Sequence, residues 1–565
     1  MMKHLRLPLF YSLLSLSILG PLLGRGYILT LDMVFTPKLR MPQDVTSSYL
    51  FHALLHYLNA VVPADIIQKL LLMITFVAAG WGMHRLIAYL QQAEKFVSNR
   101  HTLSQITGRI MGSCLYIINP FTYERLMAGQ YAVLLGYALL PWFTRGLLVY
   151  LRQPTWIGLL QPVLLAVGVG IVSIHSLGPI AVIAGIAIAG MLFRHGKQVW
   201  KLYGWQLLGG VGAFALLSSY WLFPLLAGSS KTAQQVGRFG EGDRLAFATS
   251  GSNLIEKLVN ALQLRGFWTE RHELFTLPWS KLGATWYLLS LGIIGLVVLG
   301  LVSLWRAKRV NMAIFLTVVI IAGALCASGL IVGSALTQGS LLAGFREPQK
   351  FAMLIALGYS VGLAFGITTA LAYWSDVFTS WPSHIVGAAV CIALPFMWTF
   401  VMLWGCNGQL APRQFPVDWF AVNDKLNQLN QKGDHKTLFL PWHLYMHTDF
   451  AGRTIANPAP AFFDSPVTIS DDPELPDAAI DKPSDFSRQV DHLLRGQSKD
   501  HKVGPTPAGQ LEELGVDYII LAKENDYRDY QAITDQPGVE TVIQTPTINL
   551  YHLQAKQEPS YVPTR

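Results

Sequence analysis

About eleven times along its 565 residues the chain runs apolar for long enough, or nearly so, to cross a bilayer. No other feature constrains the fold as much. The runs are 7–24, 66–90, 104–119, 132–151, 156–174, 178–193, 204–227, 284–305, 311–331, 351–373 and 384–405. In hydrocarbon every backbone N–H and C=O needs an internal partner, so runs of this kind fold as helices. With 13% charged residues against 52% hydrophobic, the expected fold is a polytopic α-helical membrane protein with about eleven transmembrane helices. Lys3 and Arg6 precede the first run, which has no small-x-small cleavage site and leads into further apolar segments. That pattern points to an uncleaved first helix rather than a signal peptide.

Orientation follows from the short loops. Lys3/Arg6, Lys95/Arg100, Arg145/Arg152, Arg194/Lys197/Lys201 and Arg306/Lys308/Arg309 mark every second one as positive. This places the N-terminus and those loops in the cytoplasm. An odd number of spans then puts residues beyond 406 outside. The expected organisation is a transmembrane domain over 1–406, with outer loops 25–65, 119–131, 228–283 and 332–350, and an extracytoplasmic domain over 407–565.

Charge divides the same way. From Asn407 onward lie 22 of the 34 acids and 14 of the 42 Lys and Arg, so the tail is net −8 and the rest net +16. The tail is polar and proline-rich between Asn457 and Pro507. It carries strand-like stretches at Thr437–Leu440, Val516–Leu521, Val539–Gln544 and Ile548–Leu553, and a helix over roughly 525–535. These make a small α/β domain. It has no Gly-rich phosphate loop, no Gly-x-Ser-x-Gly and no His-Glu-x-x-His, so nothing assigns catalysis to it. The cations of the membrane part sit in short loops and form no aromatic-interleaved basic patch, which excludes a nucleic-acid partner. Cys114, Cys326, Cys391 and Cys406 lie in or beside apolar runs without metal-ligand spacing and read as core residues.

Acids close to the membrane on the outer side are few: Asp32, Asp44, Glu124 and Glu347. An acid in so acid-poor a setting is a functional candidate. For Asp32 the alternative is a loop carboxylate paired with Arg25, Lys38 or Arg40. Asn119-Pro-Phe-Thr-Tyr-Glu-Arg-Leu-Met-Ala-Gly-Gln-Tyr131 crowds Glu124, Arg125 and Gln130 into a loop of about a dozen residues. It reads as a substrate-facing junction or as a tight turn with a Glu–Arg pair. Gly344-Phe-Arg-Glu-Pro-Gln-Lys-Phe351 opens the tenth run, with Pro348 suited to a helix start. Arg346 and Lys350 at the positive end of that helix suit an anion, phosphate above all, or else act as snorkelling anchors. His175, at the outer end of the fifth run, contacts the same cavity or is a hydrogen-bonded structural residue. In the 228–283 loop, Asn253-Leu-Ile-Glu256 resembles a capping box; Leu254, Ile255, Leu258, Val259 and Leu262 line one face, with Phe267 and Trp268 following. That describes an interfacial helix on the outer leaflet or a helix packed on the bundle.

One reaction class suits these parts. A carboxylate that takes a proton from an acceptor hydroxyl works with a cation that binds a leaving phosphate. Asp32 supplies the base and Arg346 with Lys350 the clamp; Glu124 orients the acceptor or helps hold a divalent cation, and Asp44, Arg125 and His175 complete the substrate site.

Here the chain resembles the GT-C superfamily of polyprenyl-phosphate-sugar-dependent glycosyltransferases. Within it, the chain is similar to the bacterial lipoteichoic-acid-glycosylating and arabinofuranosyltransferase-like membrane proteins. The residues that carry the resemblance are Asp32 in the first outer loop, Asn119-Pro-Phe-Thr-Tyr-Glu124, Phe345-Arg-Glu-Pro-Gln-Lys-Phe351, and the ending Leu514-Gly-Val-Asp-Tyr-Ile-Ile-Leu521. It implies a multi-span inverting transferase with a polyprenyl-phosphate-sugar donor and an extracytoplasmic glycan or lipid acceptor. It also leaves room for a divalent cation, Mg or Mn, as cofactor. The Asp-x-Asp or Glu-x-Asp usual in the family's first or second loop is absent. The rival readings are a transporter or flippase for a lipid-linked or anionic solute, which needs ionisable groups at mid-membrane, and a non-catalytic envelope-assembly scaffold, which needs no cluster at all.

Overall fold

The computed structural model describes residues 2–93, 102–196, 198–333, 341–378, 380–429, 435–472, 483–495 and 507–554. Lys95, Arg100 and Lys197 of the positive loops, residues 334–340 of the fourth outer segment, and 473–482 and 496–506 of the proline-rich stretch lie outside the described residues. The chain forms two compact units. One holds Met1–Leu23, Met41–Leu58 and Ile66–Ala411; the other holds Gly24–Arg40, Asn59–Asp65 and Pro412–Arg565.

In the first unit, six helices among the described residues are long and apolar enough to cross a membrane. They are Ala64–Gln92, Tyr131–Arg152, Ile174–His195, Ala284–Arg306, Val310–Ala327 and Pro348–Val377. Two bent pairs, Tyr203–Leu217 with Ser219–Leu226 at 88° and Ile385–Trp398 with Phe400–Asn407 at 65°, make eight if each is one span. Leu7–Leu23 and Trp156–Val172 are shorter apolar helices. The multi-pass membrane architecture stands, with six to eight spans of full length where composition suggested about eleven. The run at 104–119 shows one source of the difference: it folds as Thr102–Ile117, 16 residues, and reaches only about 24 Å at 1.5 Å per residue.

The helix Ala352–Val377 is the centre of this unit, with every residue from Ala352 to Thr368 buried. Gly362 and Gly366, four apart on one face, let a neighbour approach backbone to backbone. A Cβ on Gly366 would lie 1.9 Å from the Leu296 carbonyl oxygen, and one on Gly300 would lie 2.0 Å from that of Gly362. This is the close packing that small residues permit where lipid gives no hydrophobic drive between helices.

The second unit is a three-layer α/β sandwich built from short strands. In chain order these are β1 (Tyr27–Ile28), β2 (Pro412–Arg413), β3 (Lys436–Leu440), β4 (Tyr445–Thr448), β5 (Arg453–Ala456), β6 (Val467–Thr468), β7 (Val516–Ala522), β8 (Val539–Gln544) and β9 (Ile548–Leu553). The main sheet has the order β6-β3-β7-β9-β8, with β3 parallel to β6 and β7 and the other pairs antiparallel. Successive strand residues point to opposite faces, so Phe439, Tyr518, Ile520 and Leu550 enter one core while Leu438, Leu440, Ile519 and Leu521 enter the other. Trp419, Val422 and Leu426 of the helix Val417–Leu429 close the first face; Val490, Leu511 and Ile533 from three helical segments close the second.

The first outer segment, expected with the membrane domain, belongs in part to this sandwich. Leu29 is buried in its core, β1 pairs with β2, and the Ala456 N–H donates to the Leu31 carbonyl at 2.8 Å. Apolar side chains and unpaired strand groups in 24–40 find partners there that local sequence does not advertise.

Candidate active site

Asn119 does more than end a helix. Its extended backbone and its Oδ1, which accepts from Thr122 N at 3.1 Å, cap a new helix, Pro120–Met127; Thr122 Oγ1 answers by accepting from Asn119 N at 3.2 Å. All eight residues of this helix are buried, so the junction expected as a loop is a packed turn of helix. Glu124 and Arg125 are adjacent on it and project about 100° apart. Their side chains reach different neighbours.

Arg125 carries the larger network. Its Nη1 donates to Glu347 Oε2 at 3.1 Å and to Gln130 Oε1 at 2.6 Å, while Gln130 Nε2 reaches the same Glu347 oxygen at 3.2 Å. The guanidinium lies 3.8 Å from the Phe267 ring centroid, a cation–π contact in a dry setting. Lys350 Nζ is 3.4 Å from Glu347 Oε1. Burial alone would raise Glu347, but Lys350 and Arg125 overcome it and hold the carboxyl at about 2. His175, edge-on to Phe345 at 5.8 Å, stands within electrostatic reach of Lys350, Glu347, Arg346 and Arg125.

Glu124 has the opposite surroundings. Its carboxyl meets that of Glu270, whose Oε1 accepts from the Gly266 and Phe267 N–H groups. Oε1 of Glu124 has no hydrogen-bond partner. Burial, and then the neighbouring Glu270, push Glu124 well above the usual carboxylate range; burial raises Glu270 too, opposed by Glu124's own hydrogen bond and by Arg265. Two carboxyls in contact hold one proton between them. Tyr123, next door, donates to the Thr276 carbonyl and accepts from Gln409 Nε2 at 2.9 Å, pinning the 263–276 segment to the same helix.

Arg346 was expected as an open clamp, and the structure gives it an anchoring contact. Its Nη1 donates to the buried Asp243 at 2.8 Å, and its guanidinium lies 4.1 Å from both the Phe239 and the Phe247 ring centroids. The side chain remains about a quarter exposed. Asp44 is a surface residue, 2.9 Å from Lys231. The structure thus brings Glu124, Arg125, His175, Arg346 and Lys350 into one neighbourhood. Glu270 and Asp243 escaped the sequence reading because their partners lie more than a hundred positions away. In the 228–283 segment, Asn253 caps the helix Leu254–Leu262 by accepting from Glu256 N at 3.0 Å; Ile255 is exposed, while Phe267 and Trp268 are buried.

Asp32 lies in the second unit. Thr30 and Met33 close a tight turn through Met33 N to Thr30 O at 2.7 Å, and Asp32 stands at its tip, exposed. Tyr445 donates to Asp32 Oδ1 at 2.7 Å. Two of the alternative partners are engaged elsewhere: Lys38 with Asp464 at 2.6 Å and Arg40 with the Pro460 carbonyl at 3.1 Å.

A divalent cation needs several oxygen or nitrogen ligands converging on one point. Among the described residues no three His, Cys, Asp or Glu side chains gather in that way, and Glu270 has committed an oxygen to two backbone amides. The described residues do not fit such a centre.

A family model described as alpha-(1->3)-arabinofuranosyltransferase, N-terminal GT-C domain, matches residues 42–549. No curated protein sequence matches the chain. Among solved structures, the arabinofuranosyltransferase AftD from Mycobacteria is similar with a TM-score of 0.66 at 16% identity, over 98% of this chain and 40% of that one. A mutant of the same protein gives 0.60 at 17% identity, over 97% and 41%. At these identities the likeness is one of fold, and this chain spans less than half the length of those proteins.

Proposed function

The chain belongs to the family of alpha-(1->3)-arabinofuranosyltransferase N-terminal GT-C domains, and on that premise we propose that it is a membrane glycosyltransferase that passes a sugar from a polyprenyl-phosphate donor to an extracytoplasmic glycan or lipid. By the family's description the sugar is an arabinofuranose. In this reading the N-terminus is cytoplasmic and the tail extracytoplasmic, as the alternating positive loops require. Asp32 is the general base. It takes the proton of the acceptor hydroxyl as that oxygen bonds to the anomeric carbon; the bond from that carbon to the phosphate oxygen breaks, and the polyprenyl phosphate leaves with the electron pair. Attack opposite the leaving group inverts the anomeric centre. No step runs through a metal ion.

The observation that carries the proposal is the charge balance beside the Pro120–Met127 helix. Arg125, Arg265, Arg346 and Lys350 face Asp243, Glu347 and the Glu124–Glu270 pair, which shares one proton, and this leaves one positive charge in excess. An uncompensated charge in a dry setting is costly, and a bound phosphate relieves it. Lys350 and the exposed part of Arg346 are the donors we assign to that phosphate, with His175 lining the site. Glu124 takes a supporting role, holding the 263–276 segment through Glu270.

The test uses the purified full-length chain with synthetic polyprenyl-phosphate arabinofuranose and an envelope glycan preparation. The expected result is release of polyprenyl phosphate and a glycan heavier by one pentose. Lys350→Gln should weaken binding of polyprenyl phosphate itself. Donor bound without release is the result expected of a transporter, and no binding at all is that of a scaffold.

A further inference from the structure

The helix Tyr131–Arg152 starts beside Gln130 of the candidate active site and carries its two arginines, Arg145 and Arg152, towards its other end. That end packs on the helix Ala64–Gln92, where the Tyr89 hydroxyl donates to the Leu148 carbonyl at 3.3 Å. Two guanidiniums gather on one ring: Arg152 lies 5.2 Å and Arg145 5.8 Å from the Tyr89 centroid. Arg85, one turn before Tyr89, stands within electrostatic reach of Arg145. Arg109, on the helix Thr102–Ile117, brings a further positive charge to the same end; its Nε and Nη2 donate to the neutral Gln91 Oε1 at 3.0 and 2.8 Å. Asp65 is the one acid among the described residues of these three helices, and it stands twenty positions before Arg85, about 30 Å along the axis. Glu94, the next acid in the sequence, lies outside the described residues.

We propose that Arg85 and Arg145 bind the phosphate of an anionic lipid headgroup, in the cytoplasmic leaflet under the topology given above. Packed helices bring these like charges together, and a phosphate, with several acceptor oxygens, takes fork-shaped bonds from both guanidiniums. A zwitterionic headgroup brings its own cation and answers less of that charge. The surrounding face points to a lipid rather than a soluble phosphate. Ile66, Leu70 and Ile74 are exposed at four-residue spacing, and Arg85, eleven positions after Ile74, falls on the same face of the helix and is exposed too. From Ile74 to Arg85 is about 16 Å along the axis, close to the depth of one leaflet's hydrocarbon. An acyl chain laid along that stripe ends with its phosphate at Arg85, and Arg145, half-buried, meets it from the neighbouring helix. The site lies wholly within the first unit and is independent of the transfer reading.

The test uses the purified full-length chain in nonionic detergent, titrated with phosphatidylglycerol, phosphatidylcholine or inorganic phosphate at equal concentrations. Native mass spectrometry counts retained lipid, and the unfolding midpoint is followed in parallel. Phosphatidylglycerol should stay bound and raise the midpoint, while phosphatidylcholine and inorganic phosphate do neither. Arg85→Gln and Arg145→Gln should each weaken phosphatidylglycerol binding by about fivefold. Arg145→Lys should lose less, since an ammonium keeps the charge without the fork. Arg306→Gln removes a cation at a different loop and should bind as wild type does. Unchanged binding in both Gln variants overturns the proposal, and so does equal weakening in Arg306→Gln, which would mark a diffuse charge effect. Stabilisation by inorganic phosphate that disappears in Arg85→Gln overturns the lipid as the source. Where a variant does not fold, wild type is irradiated with phosphatidylglycerol carrying a photoactivatable group in its headgroup. Adducts on peptides that hold Arg85–Tyr89 or Arg145–Arg152 support the site, and adducts confined to other peptides overturn it. None of these readouts uses sugar transfer, so a failure here leaves the transfer reading untouched.

Discussion

Asp32 and Glu347 are both acids of outer segments, and the molecule keeps them in opposite ways. Glu347 is largely buried, held by Arg125 and Gln130 on one oxygen and faced by Lys350 on the other. Asp32 is exposed at a turn tip and meets a neutral tyrosine hydroxyl. A carboxyl held at about 2 takes up a proton only in strong acid, so it has little driving force as a base near neutrality. Glu347 is an anchor that sets two cations; Asp32 is the acid to which we assign the base's role. Chemical identity is the same, and the neighbours decide the role.

Exchanging an acid for its amide in each region tests that contrast, and the largest effect should come from Asp32. Asp32→Asn keeps shape but removes the basic group, and transfer should drop by about 10²–10⁴-fold, read as polyprenyl phosphate released per enzyme. Its thermal midpoint should hardly move, because exposed substitutions stay within about 0.5 kcal/mol. Glu347→Gln should do the reverse in stability. It leaves Arg125 and Lys350 facing each other without their shared carboxylate, a loss of about 3–5 kcal/mol for a broken buried pair, seen as a lower unfolding midpoint in detergent. A destabilised Asp32→Asn or an unaffected Glu347→Gln would erase the distinction.

A pH series sharpens the same point. Glu347 is lowered from an ordinary 4.5 to about 2, so the stability it contributes is complete above 4.5 and is lost as pH falls toward 2. The wild-type midpoint should decline over that window, and the decline should be shallower in Glu347→Gln.

Sequence made part of this visible. The strands at 437–440, 516–521, 539–544 and 548–553 were legible because short runs rich in β-branched, aromatic and Leu residues are separated by polar and turn-forming ones. The Phe345-Arg-Glu-Pro-Gln-Lys-Phe351 motif was legible because Pro348 starts a helix and brings Glu347 and Lys350 one turn apart. The β4–β5 hairpin was not. Tyr-Met-His-Thr and Arg-Thr-Ile-Ala are four residues each, too short for a period to declare itself. Nor was the placement of 24–40, since Leu29 finds its core with residues from Phe415 onward. Glu270 looked like an ordinary charge in an interfacial segment, because the carboxyl that gives it meaning, Glu124, belongs to a helix some 145 positions earlier. Pairings set by tertiary contact leave no local trace, and the charge logic of the candidate site consists mostly of such pairings.

The smallest predicted effect lies at that pair and has the opposite sign to the Glu347 prediction. Glu124 is raised well above its ordinary range, by burial first and Glu270 second. A group raised on folding contributes stability that is present below its unfolded value and is lost as pH rises through the folded one. Wild-type stability should therefore fall through this pair as pH rises above the ordinary carboxylate value of 4.5. Glu124→Gln keeps a neutral side chain of the same shape that can still donate to Glu270, so it should match wild type in acid and exceed it on the alkaline side by about 1 kcal/mol. Unfolding midpoints of the two proteins across that range measure the difference directly. Curves that stay parallel would mean that Glu124 is charged in the folded state, and the excess positive charge inferred beside Lys350 would vanish with it. A gain that grows with pH, with transfer preserved, fixes Glu124 as the neutral member of the pair and leaves the proton-accepting role to Asp32.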